Sequence, residues 1–286
     1  MTSRVLLVGA SGPLGRAMAG ELTAWGHEIT RTSRSNAAAD GSARLDATDT
    51  PQVRQILDRV RPSAVVYLAR PALDDADDVA DQVDSDIDAL RSFVAECARH
   101  GVQRVVFASS AAVYGTSSPS PRSETDALVG DSPYAALKLR SEAVLAEAAA
   151  SDGFTAISLR IFNVYGAGFS NSLVNRLAGD WGTPPLVHDT VNFVRDYIHA
   201  SDVARAFALG LGAPGAHSGI LNVGTGLGTT NHALLKLCPR AVYEDSGEPE
   251  LASFSIADTS HIHSLWGFEP RVTLESAIRQ PDRFFA

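Results

Sequence analysis

Apolar residues in this chain follow two different rhythms. Arg4–Val8 (Arg-Val-Leu-Leu-Val), Ala64–Leu68, Arg104–Ala108 and Ala156–Leu159 are short runs rich in branched residues, with Glu28–Thr30 a weaker member of the set. Such runs, apolar on successive residues, are the pattern of strands buried on both faces of a parallel sheet. Between them the apolar positions recur at helical spacing, notably over Ile87–Arg99 and Tyr134–Ala150. Strand and helix in alternation predict an α/β fold on a doubly wound parallel sheet.

The first of these runs ends in Gly9-Ala10-Ser11-Gly12-Pro13-Leu14-Gly15, after which a helical pattern continues through Leu22 and Trp25. Glycines at these places permit a tight strand-to-helix turn, close approach of backbone to a pyrophosphate, and tight helix–sheet packing. The helix N-terminus adds free N–H groups for phosphate oxygens. The strand before and the helix after distinguish this segment from an ordinary Gly-rich turn.

A second segment carries candidate chemistry. In Ser132-Pro133-Tyr134-Ala135-Ala136-Leu137-Lys138, Pro133 reads as the first helical residue and Ser132 as its cap. Tyr134 and Lys138 then stand at i and i+4 and project from one face. A cation beside a phenol favours the phenolate and brings its pKa down from about 10, toward the range of a working acid/base. The alternative is a solvent-facing Lys over a half-buried Tyr.

Composition narrows the class. The chain has 286 residues and a net charge of −9, which suits one or two domains and argues against a nucleic-acid partner. Cys97 and Cys238 are too few for a disulfide framework, as expected in a reducing cytoplasm. No signal peptide and no apolar run of membrane-spanning length stands out. The acidic stretch Asp74–Asp88 reads as a loop and a solvated helix start rather than a metal site.

With a glycine-rich turn, Ser110 and the Tyr134/Lys138 pair in that order, the chain resembles the extended short-chain dehydrogenase/reductases. Within them it is most similar to the NAD-dependent epimerase/dehydratase branch, which acts mainly on nucleotide sugars. The resemblance runs end to end. It includes Val106–Gly115 around Ser110, Leu159–Gly166 with Asn163, Arg195-Asp196-Tyr197-Ile198-His199, Leu221–Gly226 and the closing Leu265–Pro270. It implies a Rossmann-type domain over 1–165 and 195–224, and a small C-terminal substrate-binding lobe over 166–194 and 225–286, with substrate in the cleft. It also implies Ser110, Tyr134 and Lys138 as catalytic residues. Gly9, Ser11, Gly12, Pro13, Leu14, Gly15, Asp46, Ala47, Leu68, Ala69 and Arg70 would meet the cofactor, as would Tyr134 and Lys138. Ser110, Tyr114, Asn163 and Arg195 would meet substrate. A homodimer through Ile87–Arg99 and Tyr134–Ala150 is the expected assembly. Ser109 reads as a buried strand-end serine, and His199 as structural.

The form of the cofactor turns on His27–Arg34. Ser33 falls where many NAD-using relatives carry Asp, and Arg34 follows it. Basic charge there predicts NADP in preference to NAD. Elsewhere the chain departs from the pattern. Asp86 stands where relatives often carry Asn, and Tyr243–Asp258 is acidic where an Arg often holds the nucleotide. Three readings remain: an NADPH-linked reductase or epimerase of a nucleotide-activated keto sugar, a reductase of a smaller carbonyl compound, or a non-catalytic NADP sensor.

Overall fold

The computed structural model describes residues 3–34, 41–69, 79–179, 183–212, 218–248 and 250–285. In chain order its first half contains β1 (Arg4–Val8), α1 (Pro13–Ala24), β2 (Glu28–Ser33), β3 (Ala43–Arg44), α2 (Thr50–Val60), β4 (Ala64–Tyr67), α3 (Val79–Arg99), β5 (Arg104–Ser110) and α4 (Pro133–Asp152). Then come β6 (Thr155–Ile161), β7 (Asn163–Tyr165), α5 (Leu173–Ala178), β8 (Leu186–Val187), β9 (Phe193–His199), α6 (Ala200–Gly212) and β10 (Gly219–Val223). The last part holds β11 (Gly228–Thr230), α7 (Asn231–Leu237), β12 (Glu244–Asp245), β13 (Ser253–Ser255), α8 (Ser260–Trp266), α9 (Leu274–Arg279) and α10 (Pro281–Phe284). No helix among the described residues is long and apolar enough to cross a membrane.

Residues up to Val113, Val129–Arg160 and Ala204–Leu221 form one compact unit. The seven-stranded sheet runs β10-β6-β5-β4-β1-β2-β3. Its registers are parallel, for example Val5 beside Ile29 and Ala64, and Val65 beside Val105. The chain leaves β1 toward β2 on one side and returns to β4 on the other, so the strand order reverses between β1 and β4. Ligands of doubly wound sheets bind at that switch point. The apolar runs of the central strands are buried: Val5, Leu6, Leu7, Val65 and Val66 have no exposed surface. Helix α3 packs Val83, Ile87, Leu90 and Val94 inward, at the spacing of one helical face. Glu96, also inward, is held by Arg54 of α2 at 2.9 Å.

Helix α4 begins as its residues dictate. The Ser132 side chain accepts from the Ala135 amide at 3.2 Å, Pro133 takes the first helical position, and Gly153 closes the helix at φ 75°. The cysteines Cys97 and Cys238 are both free and buried.

The second unit comprises Tyr114–Leu128, Ile161–Val203 and Asn222–Ala286. Strand β9 is its axis, parallel to β7 and β13 and antiparallel to β11. Asp196 on β9 has no exposed surface and accepts four donors: Thr225 N, Thr225 Oγ1, Gly226 N and Ala257 N. Burial pushes its pKa up against those donors.

His199 ties the C-terminus into this unit. Its Nδ1 lies 2.7 Å from Ser201 Oγ and 3.2 Å from the Ser201 amide, and its Nε2 lies 3.2 Å from Phe284 O. An amide only donates, so Nδ1 is the acceptor and Nε2 carries the proton that meets Phe284 O. Burial pushes the imidazole pKa below 6.5, although Phe284 O and Asp202 oppose the shift. A base whose folded pKa is depressed stabilises the fold above its unfolded pKa, and that stability is lost as pH falls through the folded value. The melting temperature of wild type is therefore expected to fall more steeply below about pH 6.5 than that of His199→Gln. Parallel slopes in calorimetry would remove His199 from the acid response.

Candidate active site and cofactor cavity

Where β1 and β4 part, a cavity opens at the carboxyl ends of the strands, within the unit that carries the large sheet. Gly9, Ser11 and Gly12 line it from the first turn, Leu68 and Ala69 from the end of β4, and Arg34, Asp46 and Ala47 from the loops after β2 and β3. Lys138 and Ser141 of α4 and Asp86 of α3 complete its wall.

The glycine turn has three distinct reasons for its three glycines. Gly9 sits at φ 86°, and a Cβ there would lie 2.9 Å from Ala69 N, because the two switch-point loops touch. At Gly15 a Cβ would lie 2.6 Å from Ala10 Cα and O, which is helix α1 pressed on its own turn. At Gly12 nothing lies closer than Gly9 O at 3.9 Å. The protein itself does not require glycine there; the open space faces the cavity. Gly12 is also the N-cap of α1, and no side chain caps that helix. An uncapped helix N-terminus, with room for an approaching group, is an anion site in waiting. This observation fits the pyrophosphate of a dinucleotide. Pro13, Leu14 and Gly15 form the first turn of α1 behind it and do not line the cavity.

At the cavity's other end the charges are mixed. Arg34 lines the wall, and Asp46 and Asp86 both feel its field. The Thr48 amide and hydroxyl and the nearby Arg34 and Arg44 hold Asp46 below the usual carboxylate range, whereas burial pushes Asp86 up. Ser33, expected beside the cofactor, is instead turned away: it is buried, its hydroxyl 3.2 Å from that of Ser42, and it does not line the cavity. Arg70 lies outside the described residues.

Lys138 joins this cavity to the candidate acid/base. It is 5% exposed, donates to Ala108 O at 2.7 Å, and stands 4.7 Å from the centre of the Phe107 ring and 5.5 Å from that of Tyr134. Ala108 is on β5, which ends at Ser110. Tyr134 and Ser110 are both half-buried, and Ser110 Oγ accepts from the Ala112 amide at 3.2 Å. Lys138 thus stands beside the Tyr134 ring and on the carbonyl two residues before Ser110. Neither Ser110 nor Tyr134 is among the residues that line the cavity.

Three residues expected to meet substrate are engaged within the second unit. Tyr114 is 1% exposed; its hydroxyl donates to Asn222 Oδ1 at 2.8 Å and its ring stacks on Phe162. It packs within this unit, the other role open to it, and its polar end has a buried partner. Asn163 donates to Asp196 O at 3.1 Å. The Arg195 guanidinium lies 4.0 Å from the centre of the Phe193 ring and donates to Val194 O, Ser253 O and Ser253 Oγ. In the acidic segment, Glu248 lies 3.4 Å from His188 Nδ1.

Tyr67, Phe107, Leu137 and Ser141 also line the cavity and were not anticipated. For Ser141 a signal existed: it stands three residues after Lys138 on the same helix face. Tyr67, the last residue of β4, lies in register with Phe107 in the middle of β5. Among the described residues no three metal-ligating side chains cluster.

The chain is similar to known proteins in sequence and fold. A UDP-glucose 4-epimerase of Azospirillum brasilense is 33% identical over 233 residues, 70% of this chain and 64% of its own length. A dTDP-4-dehydro-6-deoxyglucose reductase of Escherichia coli is 30% identical over 198 residues, 63% of this chain and 60% of its own. The crystal structure of the Thermus thermophilus UDP-glucose 4-epimerase in complex with NAD superposes with a TM-score of 0.81 at 28% identity, covering 96% of each chain. The NAD dependent epimerase/dehydratase family matches residues 5–224, from the second residue of β1 to the residue after β10. A match of that span over a switch-point cavity of this kind leaves one assignment: the chain belongs to the NAD dependent epimerase/dehydratase family.

Proposed function

We propose that the chain is an oxidoreductase or epimerase that works on a nucleotide-activated keto or hydroxy sugar through Ser110, Tyr134 and Lys138. One observation carries the reading: Lys138 lines the cofactor cavity while sharing a helix face with Tyr134 and holding the strand that ends at Ser110. A nicotinamide bound in the cavity supplies or accepts the hydride. Ser110 donates to the substrate oxygen, Tyr134 gives or removes the proton on that oxygen, and Lys138 favours the phenolate and meets a ribose hydroxyl. Relatives of both kinds, epimerase and reductase, support the sugar-nucleotide class. A protein that retains nicotinamide absorbance through purification and turns over without added cofactor is an epimerase; one that consumes NADPH stoichiometrically is a reductase. If UDP and dTDP leave the melting temperature unchanged while nicotinamide dinucleotides raise it, the sugar-nucleotide assignment fails.

The cavity accepts NAD, as the Thermus relative does, and Arg34 extends it to NADP. Its guanidinium suits a 2′-phosphate, and Asp46 and Asp86 beside it limit the gain. Arg34→Ala is expected to weaken NADP binding about tenfold or more and to leave NAD within about threefold. Equal losses for both dinucleotides in titration calorimetry would remove Arg34 from the choice.

A further inference from the structure

Directly behind the candidate acid/base pair lies a buried ionic group that no catalytic role so far absorbs. Glu142 stands four residues after Lys138, on the same face of α4, and is 6% exposed. Arg160 on β6 is 1% exposed and grips its carboxylate with two donors, Nε to Oε1 at 2.9 Å and Nη2 to Oε2 at 2.7 Å. Ser109, 3% exposed and adjacent to Ser110, donates to Oε1 at 2.5 Å. One carboxylate thus fastens the helix of Tyr134 and Lys138 to the strand of Ser110 and to β6.

We propose that Glu142 and Arg160 are positioning residues for the acid/base group: their pair fixes α4 against β5, and Arg160 cancels the Glu142 charge so that it does not oppose the field of Lys138 at Tyr134. The proposal rests on the reading of Tyr134 and Lys138 as that group. Its physical basis is proximity. One helical turn, about 5.4 Å, separates Glu142 from Lys138. A carboxylate that close, left unbalanced in the interior, would hold the ammonium and oppose the phenolate. A neutral pair of similar volume could provide packing, but not this alignment. Bidentate contact with a strand and a hydroxyl contact with its neighbour specify one orientation of the helix.

The test separates charge from packing. In Glu142→Gln the buried guanidinium loses its counter-charge, and the Tyr134 phenol is expected to ionise at lower pH, by about half a unit or more. In Arg160→Met the carboxylate is left unbalanced, and the phenol is expected to ionise at higher pH by a similar amount. The Glu142→Gln/Arg160→Met double variant is expected to return toward wild type. Arg160→Lys keeps the charge, so its titration should stay at wild type while hydride transfer falls about tenfold or more through lost alignment. The phenol is read by ultraviolet difference titration of each variant against the same variant carrying Tyr134→Phe. Burial pushes Tyr67 and Tyr165 well up, and Tyr197 up to about 12, clear of the window. Asp46, Asp86 and Arg34 also face the cavity that Lys138 lines and are unchanged in every variant.

Opposite shifts in the two single variants support the proposal. Shifts that are absent, or of one sign in both, overturn it, even where melting temperatures drop. Should a single variant not fold, the double variant and Arg160→Lys decide: wild-type titration with reduced transfer supports the positioning role, and wild-type transfer in both overturns it. Failure of the underlying reading looks different. Tyr134→Phe would then leave hydride transfer intact whatever the titrations show.

Discussion

Replacing Tyr134 by phenylalanine is expected to lower hydride transfer by about 10²- to 10⁴-fold, the usual contribution of a positioned acid/base. Dinucleotide affinity should stay within about threefold, because Tyr134 does not line the cavity whereas Lys138 does. The two residues are therefore separable. Lys138→Met should reduce transfer and also weaken dinucleotide binding, since the lost ammonium both lines the cavity and faces the Tyr134 ring at 5.5 Å. Single-turnover kinetics with a saturating dinucleotide, paired with calorimetric titration, reads both quantities. Wild-type transfer in Tyr134→Phe would sink the acid/base assignment. The outcome would then favour a protein that binds the dinucleotide without using it chemically.

How much of this was visible in the residues differs by region, for physical reasons. The large sheet was legible because its central strands β1, β4, β5 and β6 are buried almost throughout and so must be apolar over successive residues, whereas the edge strand β2 is mostly part-exposed and gave a weaker signal. The observed strands run longer than the apolar runs at several ends: β5 continues to Ser110 and β6 spans Thr155–Ile161. Arg160 lies inside that strand, fully enclosed, and no single-residue rule places an Arg in a sheet interior. Its partner, Glu142, is 18 residues away on another element. Pairs of that kind leave no local pattern. The start of α4 was legible to the residue because Ser132 and Pro133 act locally. Tyr114 and Ser33 show the converse: a motif places a residue near a site but does not say which way its side chain turns, and both are buried with polar partners. The two-residue strands β3, β8 and β12 carry no period at all. The glycine turn was legible as a motif, but its three glycines answer to different neighbours: Gly9 to Ala69, Gly15 to Ala10, and Gly12 to open space.

That last point yields the second large effect, a contrast among three substitutions in one turn. Gly12→Ala is expected to keep the fold, with stability within about 1 kcal/mol of wild type, the cost of Ala at an N-cap. Its backbone sits at φ −70° and ψ 165°, open to any residue, and the nearest atom to a new Cβ is 3.9 Å away. Yet the methyl would project into the space where a pyrophosphate must approach the uncapped end of α1. Dinucleotide affinity should fall about tenfold or more, equivalent to one lost charge-assisted hydrogen bond. Gly15→Ala should do the reverse. Its Cβ would lie 2.6 Å from backbone atoms of Ala10, which cannot rotate aside, so the cost falls on folding, about 1–3 kcal/mol or more. Gly9→Ala combines a backbone overlap at 2.9 Å with a left-handed conformation that adds about 1–2 kcal/mol. Denaturant unfolding and calorimetric titration of the three variants with NAD measure both axes. If Gly12→Ala binds NAD as wild type does, the phosphates do not lie against α1. The dinucleotide would then have to cross the switch point without the helix whose open end gives the cavity its attraction for anions.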